Sequence, residues 1–283
     1  MAVRQFLRNA GSFEEMDSNI QLASTEIHVW LTFPDAITDE RLLSAYRGLL
    51  NAMEQREELR FYWPRDRHRY LVSRALLRTV LSRYASIGPK DWSFSTSAYG
   101  RPEIANTHAT DGGLSFSVSH TQGLIALAVA NNRTLGIDVE HLAASDASIT
   151  LAHHFFSSDE VAAVHDVPHQ QQQLRFFEYW TLKEAYVKAR GMGFSIPLES
   201  FSIRFPDDHS VNLVSNAKLD DDSSRWQLWQ FRPASEHLVA VCAERLNAQS
   251  PKLTVRETIP TVSERIMTPK LLRTSATAQA SLA

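Results

Sequence analysis

Three acidic side chains and one lysine are spaced in a way that suits binding of a metal ion and a phosphate. In the segment LGIDVE, Asp138 and Glu140 alternate within an apolar run, so a strand would point both carboxylates to one side of its sheet. Glu184 and Lys188 lie four residues apart in a segment of helical periodicity and would share one helix face. If exposed, these groups are an ordinary polar surface. If partly buried, the acids would form the oxygen-rich half of a magnesium site completed by substrate phosphates.

Further polar side chains would donate hydrogen bonds to a phosphate group. His120 ends the strand-like segment FSVSHT, which leads through a hairpin to LGIDVE, so its ring is expected near the acids, although a lone histidine is more commonly structural. Arg101 lies in the turn YGRP and, considered alone, is a solvent-exposed turn residue. Arginines interleaved with aromatic residues would form a solvated helix face or hold a phosphate; they are Arg56, Arg60, Arg65, Arg67 and Arg69.

The composition indicates a soluble globular protein whose anion site must be local. The chain has 283 residues and a formal net charge of −3, so it has no broad positive field that would attract a polyanion. The single cysteine, Cys242, lies in an apolar segment and is expected in the core, which excludes disulfide scaffolds and cysteine zinc sites. No signal peptide is recognisable, and no segment approaches the roughly 20 apolar residues that span a bilayer. We therefore expect a cytoplasmic protein that binds neither membranes nor nucleic acids.

Periodicity predicts a mixed sheet with helices before and after it. Alternating apolar residues predict strands at 26–33, 114–121, 124–130 and 135–140. Two helices are predicted between about Asp39 and Ser86, separated by the basic stretch 56–69. Three later strands are predicted in FSIRF, WQLWQF and LVAVCAE.

The second half of the chain carries clearer helix signals. Ser157 and Glu160 form a capping box, and the pattern of 173–191 predicts a long helix that ends at Gly191. The glutamine run 170–173 is expected to be a surface loop. The segment after about 247 contains small polar residues and prolines and is expected to be mostly disordered.

Five segments together resemble the phosphopantetheinyl transferases of the surfactin-synthetase-activating type. In chain order they are FSTSAYGRPEI (94–104), FSVSH (116–120), GIDVE (136–140), FFS (155–157) and WTLKEAYVKARGMGFSIPLESFSI (180–203). The combination of GIDVE with W-x-x-K-E-x-x-x-K-x-x-G-x-G is highly specific, whereas any single segment is not. The resemblance covers roughly residues 40–245.

The resemblance implies a fold and a set of site residues. The implied fold class is α/β (α+β), with two similar lobes that form an intramolecular pseudo-dimer, each a small sheet packed with helices, and an active site in the cleft between them. The N-terminal lobe would be 1–133 with an extension at 1–22, the C-terminal lobe 134–246, and the tail 247–283. By similarity, the metal ligands are Asp138, Glu140 and Glu184. The residues that would contact coenzyme A are Ser119, His120, Arg101 and Lys188, with Arg56 and Arg60 as further candidates.

The implied reaction moves the 4'-phosphopantetheine arm of coenzyme A to a serine of an acyl or peptidyl carrier protein and releases adenosine 3',5'-bisphosphate. The implied catalytic residues are Glu184, Lys188 and Asp138, with Mg²⁺ as cofactor and Mn²⁺ as an alternative. Either Glu184 or a metal-bound water would take the serine proton. The carrier would belong to fatty-acid, polyketide or nonribosomal-peptide biosynthesis, and the pseudo-dimer is expected to be a monomer.

Two other functions remain as alternatives. A magnesium-dependent nuclease would also use paired acids with a lysine, but the slightly negative net charge disfavours it because a nuclease of this size should carry a broad basic stripe. A non-catalytic coenzyme A-binding module is the second alternative. The complete set of acids together with Lys188 disfavours that module, since binding alone would not require them.

Overall fold

Two large β-sheets with helices on their outer faces form most of the described fold, and two further sheets have two strands each. The computed structural model describes residues 20–107, 112–143, 148–215, 219, 221–247 and 249–275. The strands are β1 (Glu26–Thr32), β2 (Phe94–Thr96), β3 (Pro102–Ile104), β4 (Leu114–Thr121), β5 (Leu124–Asn131), β6 (Leu135–His141), β7 (Phe201–Arg204), β8 (Asn212–Ser215), β9 (Trp226–Ala234), β10 (His237–Glu244), β11 (Lys252–Ile259), β12 (Ser263–Met267) and β13 (Lys270–Thr274). The α-helices are α1 (Glu40–Arg47), α2 (Ala52–Arg60), α3 (Pro64–Leu81), α4 (Ser148–Phe155), α5 (Ser158–His165) and α6 (His169–Arg190). Short 3₁₀ helices occupy Pro34–Ala36, Gly193–Ser195, Leu198–Ser200 and Ser223–Arg225.

The strand order places β4 and β6, which lie near the middle of the chain, at the junction of the two large sheets. The first sheet has the order β12-β11-β1-β5-β4 and the second the order β13-β9-β10-β6. Strand β1 pairs in parallel with β11 and antiparallel with β5, while β10 is antiparallel to both β6 and β9. Strands β4 and β6 are therefore edge strands of different sheets, and they lie side by side.

Three apolar clusters hold the layers together, in the order helices, sheet, sheet, helices. Helices α1 and α3 pack on the first sheet around Trp30, Leu76 and Leu127. A second cluster lies between the two sheets and includes residues of β1, β5, β6, β9 and β10. Helix α6 packs on the outer face of the second sheet, against strands that include the buried Cys242. The mixed α/β class is confirmed, and the internal pseudo-twofold relation stays a prediction.

Two helix boundaries differ from the sequence prediction. The basic stretch 56–69 is largely helical, because Asn51 caps α2 with a capping box to Glu54 and Pro64 opens α3 at a position where its missing amide proton costs nothing. Three helices therefore lie between Asp39 and Ser86, where two were predicted. Helix α6 begins at His169, so the glutamine run at 170–173 forms its first turns and not a loop. The capping box at Ser157 and the end of α6 at Gly191, which has φ +68°, are as predicted.

The expectation of a disordered C-terminal tail is wrong for the described residues 249–275. Strand β11 adds to β1 in the first sheet, and β13 adds to β9 in the second. Local composition in this segment is polar, but main-chain pairing with strands far away in sequence supplies the order. The remainder of the tail, 276–283, and the N-terminal residues 1–19 lie outside the described residues.

Candidate active site

Two serines of β4 join the first sheet to β6. Ser117 Oγ accepts a hydrogen bond from the Ile137 amide at 3.1 Å, and Ser119 Oγ donates to Asp138 Oδ1 at 3.0 Å. The alternation of β4 places these serines on the face opposite Phe116, where they are buried against β6. Side-chain hydrogen bonds thus take the place of a main-chain ladder at this junction and bring His120 of β4 beside the acids of β6.

Gly136 allows α6 to approach β6 closely. A Cβ atom at this position would overlap the main chain of Ala185 and Ala189, so any side chain would push the helix away from the strand. Because Glu184 and Lys188 lie on this part of α6, their distance from Asp138 depends on the absence of a side chain at Gly136. The glycine of GIDVE is therefore a packing requirement of the site.

A buried ion pair fixes the opposite side of α6. Lys183 Nζ donates to both carboxylate oxygens of Glu160, at 2.9 and 2.7 Å, and to the Phe201 carbonyl at 2.8 Å. Both charged side chains are at most 1% exposed. Burial lowers the pKa of Lys183, and the neighbouring Glu160 charge opposes this shift. Lys183 is thus a structural lysine. Glu160, the capping-box partner of Ser157 in α5, also links α5 and β7 to α6.

Asp138 stands at the centre of the cleft, in contact with Lys188. Lys188 Nζ lies 2.6 Å from Asp138 Oδ1 and donates to Ser119 Oγ at 3.0 Å. The Asp138 side chain is 6% exposed and that of Lys188 is 31% exposed, so the lysine can reach a ligand from the cleft. Asp138 Oδ2 is buried and has no hydrogen-bond partner among the described residues.

Glu140 and Glu184 complete the acidic group. Burial, followed by the charge of Asp138, raises the pKa of each of these two carboxyl groups to about 7. Trp180 Nε1 donates to Glu140 Oε1 at 3.1 Å, which favours the charged form of Glu140. The three acids are thus close enough to influence each other's ionisation, as the sequence predicted from their shared faces.

The chemistry of these donors fits a hard divalent cation. Three carboxylates that face one cleft, one of them with an unpartnered buried oxygen, match the oxygen ligands that magnesium prefers. Within the described part of the chain, however, no three Asp, Glu, His or Cys side chains are gathered closely enough to hold an ion as they stand. Magnesium binding by Asp138, Glu140 and Glu184 therefore stays a prediction.

His120 lines the cleft and lies within electrostatic reach of Arg69. Desolvation of the His120 ring, followed by the positive charge of Arg69, lowers the pKa of this histidine. The residue as a whole is nevertheless exposed to solvent. Among the arginines of the basic cluster, Arg69 is the one that acts on His120. Arg56 and Arg60 lie on the exposed side of α2, where Arg60 pairs with Glu57 at 2.7 Å, and neither lines the cleft. Their contact with coenzyme A stays a prediction.

Arg101 makes a structural contact that the sequence did not reveal. Its guanidinium donates to four main-chain carbonyls, those of Lys188, Ala189, Phe116 and Leu135, at 3.1 to 3.5 Å. These carbonyls belong to the end of α6, to β4 and to β6, so Arg101 ties together the three elements that carry the site. It also lines the pocket next to the cleft, and a contact with coenzyme A is a prediction in addition to this structural role.

Two adjoining cavities offer space for a substrate. The first, of about 360 Å³, is lined by Ser119, His120, Asp138, Glu140, Trp180, Glu184 and Lys188, together with Val118 and Val139. The second, of about 240 Å³, shares Val118, Glu184 and Lys188 with the first and extends to Tyr99 and Gly193. A substrate with a charged part and a longer apolar part would fill both.

Sequence reasoning missed the contribution of Trp180 to the site. It is not among the predicted site residues, yet its indole donates a hydrogen bond to Glu140. A signal was present, since Trp180 precedes Glu184 by four residues and must share its helix face.

The fold and the cleft define a two-sheet α/β enzyme suited to a phosphorylated substrate. A family profile described as the 4'-phosphopantetheinyl transferase superfamily matches residues 134–242, and a profile for the N-terminal part of 4'-phosphopantetheinyl transferases matches residues 38–132. The chain is 33% identical to the 4'-phosphopantetheinyl transferase HetI of Nostoc sp. over 223 residues, which is 79% of this chain and 90% of HetI. It is 31% identical to the 4'-phosphopantetheinyl transferase Sfp of Bacillus subtilis over 194 residues, 67% of this chain and 80% of Sfp. The chain belongs to the 4'-phosphopantetheinyl transferase family, as the resemblance predicted.

Membership of this family makes the chain an enzyme and confirms the predicted transferase class. Neither the nuclease nor the non-catalytic module receives support from these comparisons. Within the described residues, no helix is long and apolar enough to cross a bilayer.

Proposed function

We propose that the chain transfers the 4'-phosphopantetheine arm of coenzyme A to a serine of an acyl or peptidyl carrier protein. The serine oxygen forms a bond to the β-phosphate of coenzyme A, the bond from that phosphorus to the bridging oxygen breaks, and adenosine 3',5'-bisphosphate leaves. The observation that carries this proposal is the meeting of Lys188, Asp138 and Ser119 at the junction of β4 and β6, beside Glu140 and Glu184.

The positive groups of the cleft stabilise the charge of the pyrophosphate. Lys188 is partly exposed and already oriented by Asp138 and Ser119, so it donates to a phosphate oxygen with little loss of side-chain freedom. His120 lines the cleft as a neutral ring that can donate one N–H to a second phosphate group, and the charge of Arg69 acts on it from nearby. Fixed donors of this kind act mainly through positioning and charge neutralisation in phosphoryl-type transfer.

Asp138, Glu140 and Glu184 would hold Mg²⁺, which would neutralise charge on the pyrophosphate when bound. In the absence of a bound cation, the pKa of about 7 would let Glu184 accept the serine proton near neutral pH. Because Glu184 is also a proposed Mg²⁺ ligand, either Glu184 or a water molecule in the cleft would take the proton.

The partner would be a small acidic carrier protein that docks beside the cleft. Exposed Arg65 and half-buried Arg69 lie on the first turns of α3, and a positive rim at this place would speed association with an acidic carrier. Charge reversal at Arg65 and Arg69 should slow carrier association and weaken its salt dependence. Unchanged association would place the carrier contact elsewhere.

Intact-mass analysis of an apo carrier protein tests the reaction directly. The carrier is incubated with the protein, coenzyme A and Mg²⁺, beside a control with a chelator. We expect a metal-dependent gain of one phosphopantetheine, and we expect Asp138→Ala and Glu184→Ala to abolish the gain while circular dichroism shows both variants folded. Retained activity in both variants would contradict the metal assignment. Coenzyme A binding without transfer to any of several carriers would favour the non-catalytic module.

A further inference from the structure

The C-terminal segment 249–275 lies outside both family profiles, which cover residues 38–132 and 134–242, yet it is joined to both sheets. On the first sheet, β11 runs parallel to β1 from Glu26↔Lys252 to Leu31↔Glu257. On the second sheet, β13 pairs with β9. The cleft is built from β4 of the first sheet and β6 of the second. The C-terminal segment 249–275 therefore pairs with both of the sheets that form the site.

Side chains strengthen the attachment to the first half. Tyr46 OH of α1 donates to the Pro260 carbonyl at 2.7 Å, and Thr32 Oγ1 donates to the Thr258 carbonyl at 3.0 Å. Glu264 of β12 forms ion pairs with Arg83 and Arg256. These groups are mostly buried, so the segment is an integral part of the first sheet.

The attachment to the second half reaches the helix of the active site. The pairing register between β13 and β9 shifts between Leu271 and Arg273, and an irregularity of this kind changes the direction of the side chain that follows it. Arg273 Nη1 lies 3.1 Å from Glu178 Oε1 of α6 and donates to Gln230 Oε1 at 2.9 Å. Arg175 of the same helix holds the other oxygen of Glu178 at 3.2 Å.

Gln230 extends this contact to the helix main chain. Its amide nitrogen donates to the Glu178 carbonyl at 2.8 Å and to Thr181 Oγ1 at 3.0 Å. Gln230 is fully buried, and the side chains of Arg273 and Glu178 are less than 10% exposed. Glu178 precedes Glu184 by six residues, which is about 9 Å along a helix. A shift of the contact between Arg273, Glu178 and Gln230, which we call the brace, therefore moves the site residues too.

We propose that Arg273 is a positioning residue of the transfer reaction, which holds α6 through Glu178 and Gln230 so that Glu184 and Lys188 meet Asp138. The C-terminal segment then contributes to catalysis by holding α6 in position. This inference rests on the proposed function for its catalytic consequence, while the brace itself is a property of the fold.

Three variants of the full chain test the proposal. Arg273→Met removes the brace, and Arg273→Lys keeps a charge that reaches Glu178 without bridging to Gln230 at the same time. The matched control is Arg265→Met, which breaks an ion pair with Glu257 inside the first sheet. Each variant is assayed for carrier modification at a temperature where circular dichroism shows it folded, and the exchange of amide hydrogens in 176–190 is followed by mass spectrometry.

We expect Arg273→Met to lower kcat about tenfold with an unchanged KM for the carrier, because small displacements of catalytic groups cost rate and not carrier affinity. Exchange in 176–190 should become faster, Arg273→Lys should restore part of both, and Arg265→Met should leave both as in the wild type. A lower melting temperature with unchanged kcat and unchanged exchange in 176–190 would overturn the proposal.

A second variant keeps the test decisive if Arg273→Met does not fold. Arg273→Met combined with Glu178→Gln removes both charges and leaves no unpaired buried acid. Wild-type kcat and exchange in this double variant would overturn the proposal, and reduced kcat with faster exchange would support it. If the wild type itself modifies no carrier, the proposed function fails, whereas the exchange measurement still decides whether Arg273 braces α6.

Discussion

Lys188 Nζ lies 2.6 Å from Asp138 Oδ1, so a helix of the second half and its edge strand β6 meet in a direct ion pair at the floor of the cleft. The same nitrogen also donates to Ser119 of the first half. One side chain therefore contacts both halves of the site, and its loss should affect both the reaction and the stability of the fold.

Replacing Lys188 with methionine should lower kcat by a factor of about 100 to 1000, the usual cost of one fixed transition-state donor. The melting temperature should also fall, because Asp138 is only 6% exposed and loses its cationic partner, so the rates are compared at a temperature where both proteins are folded. Steady-state kinetics with a carrier protein, beside thermal unfolding, measures both. Lys90→Met, which removes an exposed lysine outside the cleft, serves as the control. Equal rates for Lys188→Met and wild type would remove this lysine from the reaction.

Gly136→Ala should disable the enzyme by moving α6 away from β6. The new Cβ would overlap the main chain of Ala185 and Ala189, and a displacement of about 1 Å between reacting groups costs about 100-fold in rate. Carrier modification together with circular dichroism would show whether a folded but slow enzyme results. Wild-type activity would mean that α6 accommodates the methyl group without moving Glu184 and Lys188.

Lys183→Met should destabilise the fold by about 3–5 kcal/mol, since it leaves Glu160 buried without its partner. Urea unfolding of the purified variant measures the loss. The double variant Lys183→Met with Glu160→Gln should recover much of it, because glutamine is neutral and still accepts a hydrogen bond at the cap of α5. If the double variant is as unstable as the single one, the unpaired charge is not the cause.

Trp180→Phe should lower kcat about tenfold. The substitution keeps an aromatic ring but removes the indole donor to Glu140, and a hydrogen bond to a charged group is worth about 1.5–3 kcal/mol. Without this donor the pKa of Glu140 should rise further, so the rate loss should be larger at pH 6.5 than at pH 8. Trp63→Phe, at a tryptophan that is 57% exposed, is the matched control. A loss that is independent of pH would contradict the role assigned to Trp180.

His28 should make the fold less stable in mild acid. Burial, followed by the charge of Arg256, lowers the pKa of His28 from 6.5 to about 4, and Tyr84, which accepts a hydrogen bond from Trp30, can donate to Nδ1 of the neutral ring. As pH falls below 6.5, the unfolded chain takes up a proton that the folded chain does not, so stability is lost between pH 6.5 and about 4, by about 2 kcal/mol at pH 5.

Urea unfolding of the wild type and of His28→Gln at pH 7.5 and pH 5 checks this loss. Other titrating groups are common to both proteins, so the difference between them isolates His28. An equal loss of stability in the two proteins would show that His28 does not contribute.

The sequence by itself determined the central strands, the long helix and the set of acids, because these depend on local spacing. Alternation places Asp138 and Glu140 on one face of β6, and a separation of four places Glu184 and Lys188 on one face of α6. Both facts hold whatever the strand and the helix pack against.

Only the tertiary structure decided which polar side chains do chemistry and which hold the fold. Lys183 and Lys188 lie on the same helix, yet one is buried against Glu160 and the other opens to the cleft, because α6 packs on different elements on its two sides. The Arg101 guanidinium donates hydrogen bonds to four main-chain carbonyls that belong to three different elements. Strands β11 and β13 gain order from pairing with distant strands, and such long-range hydrogen bonding leaves no signal in local composition.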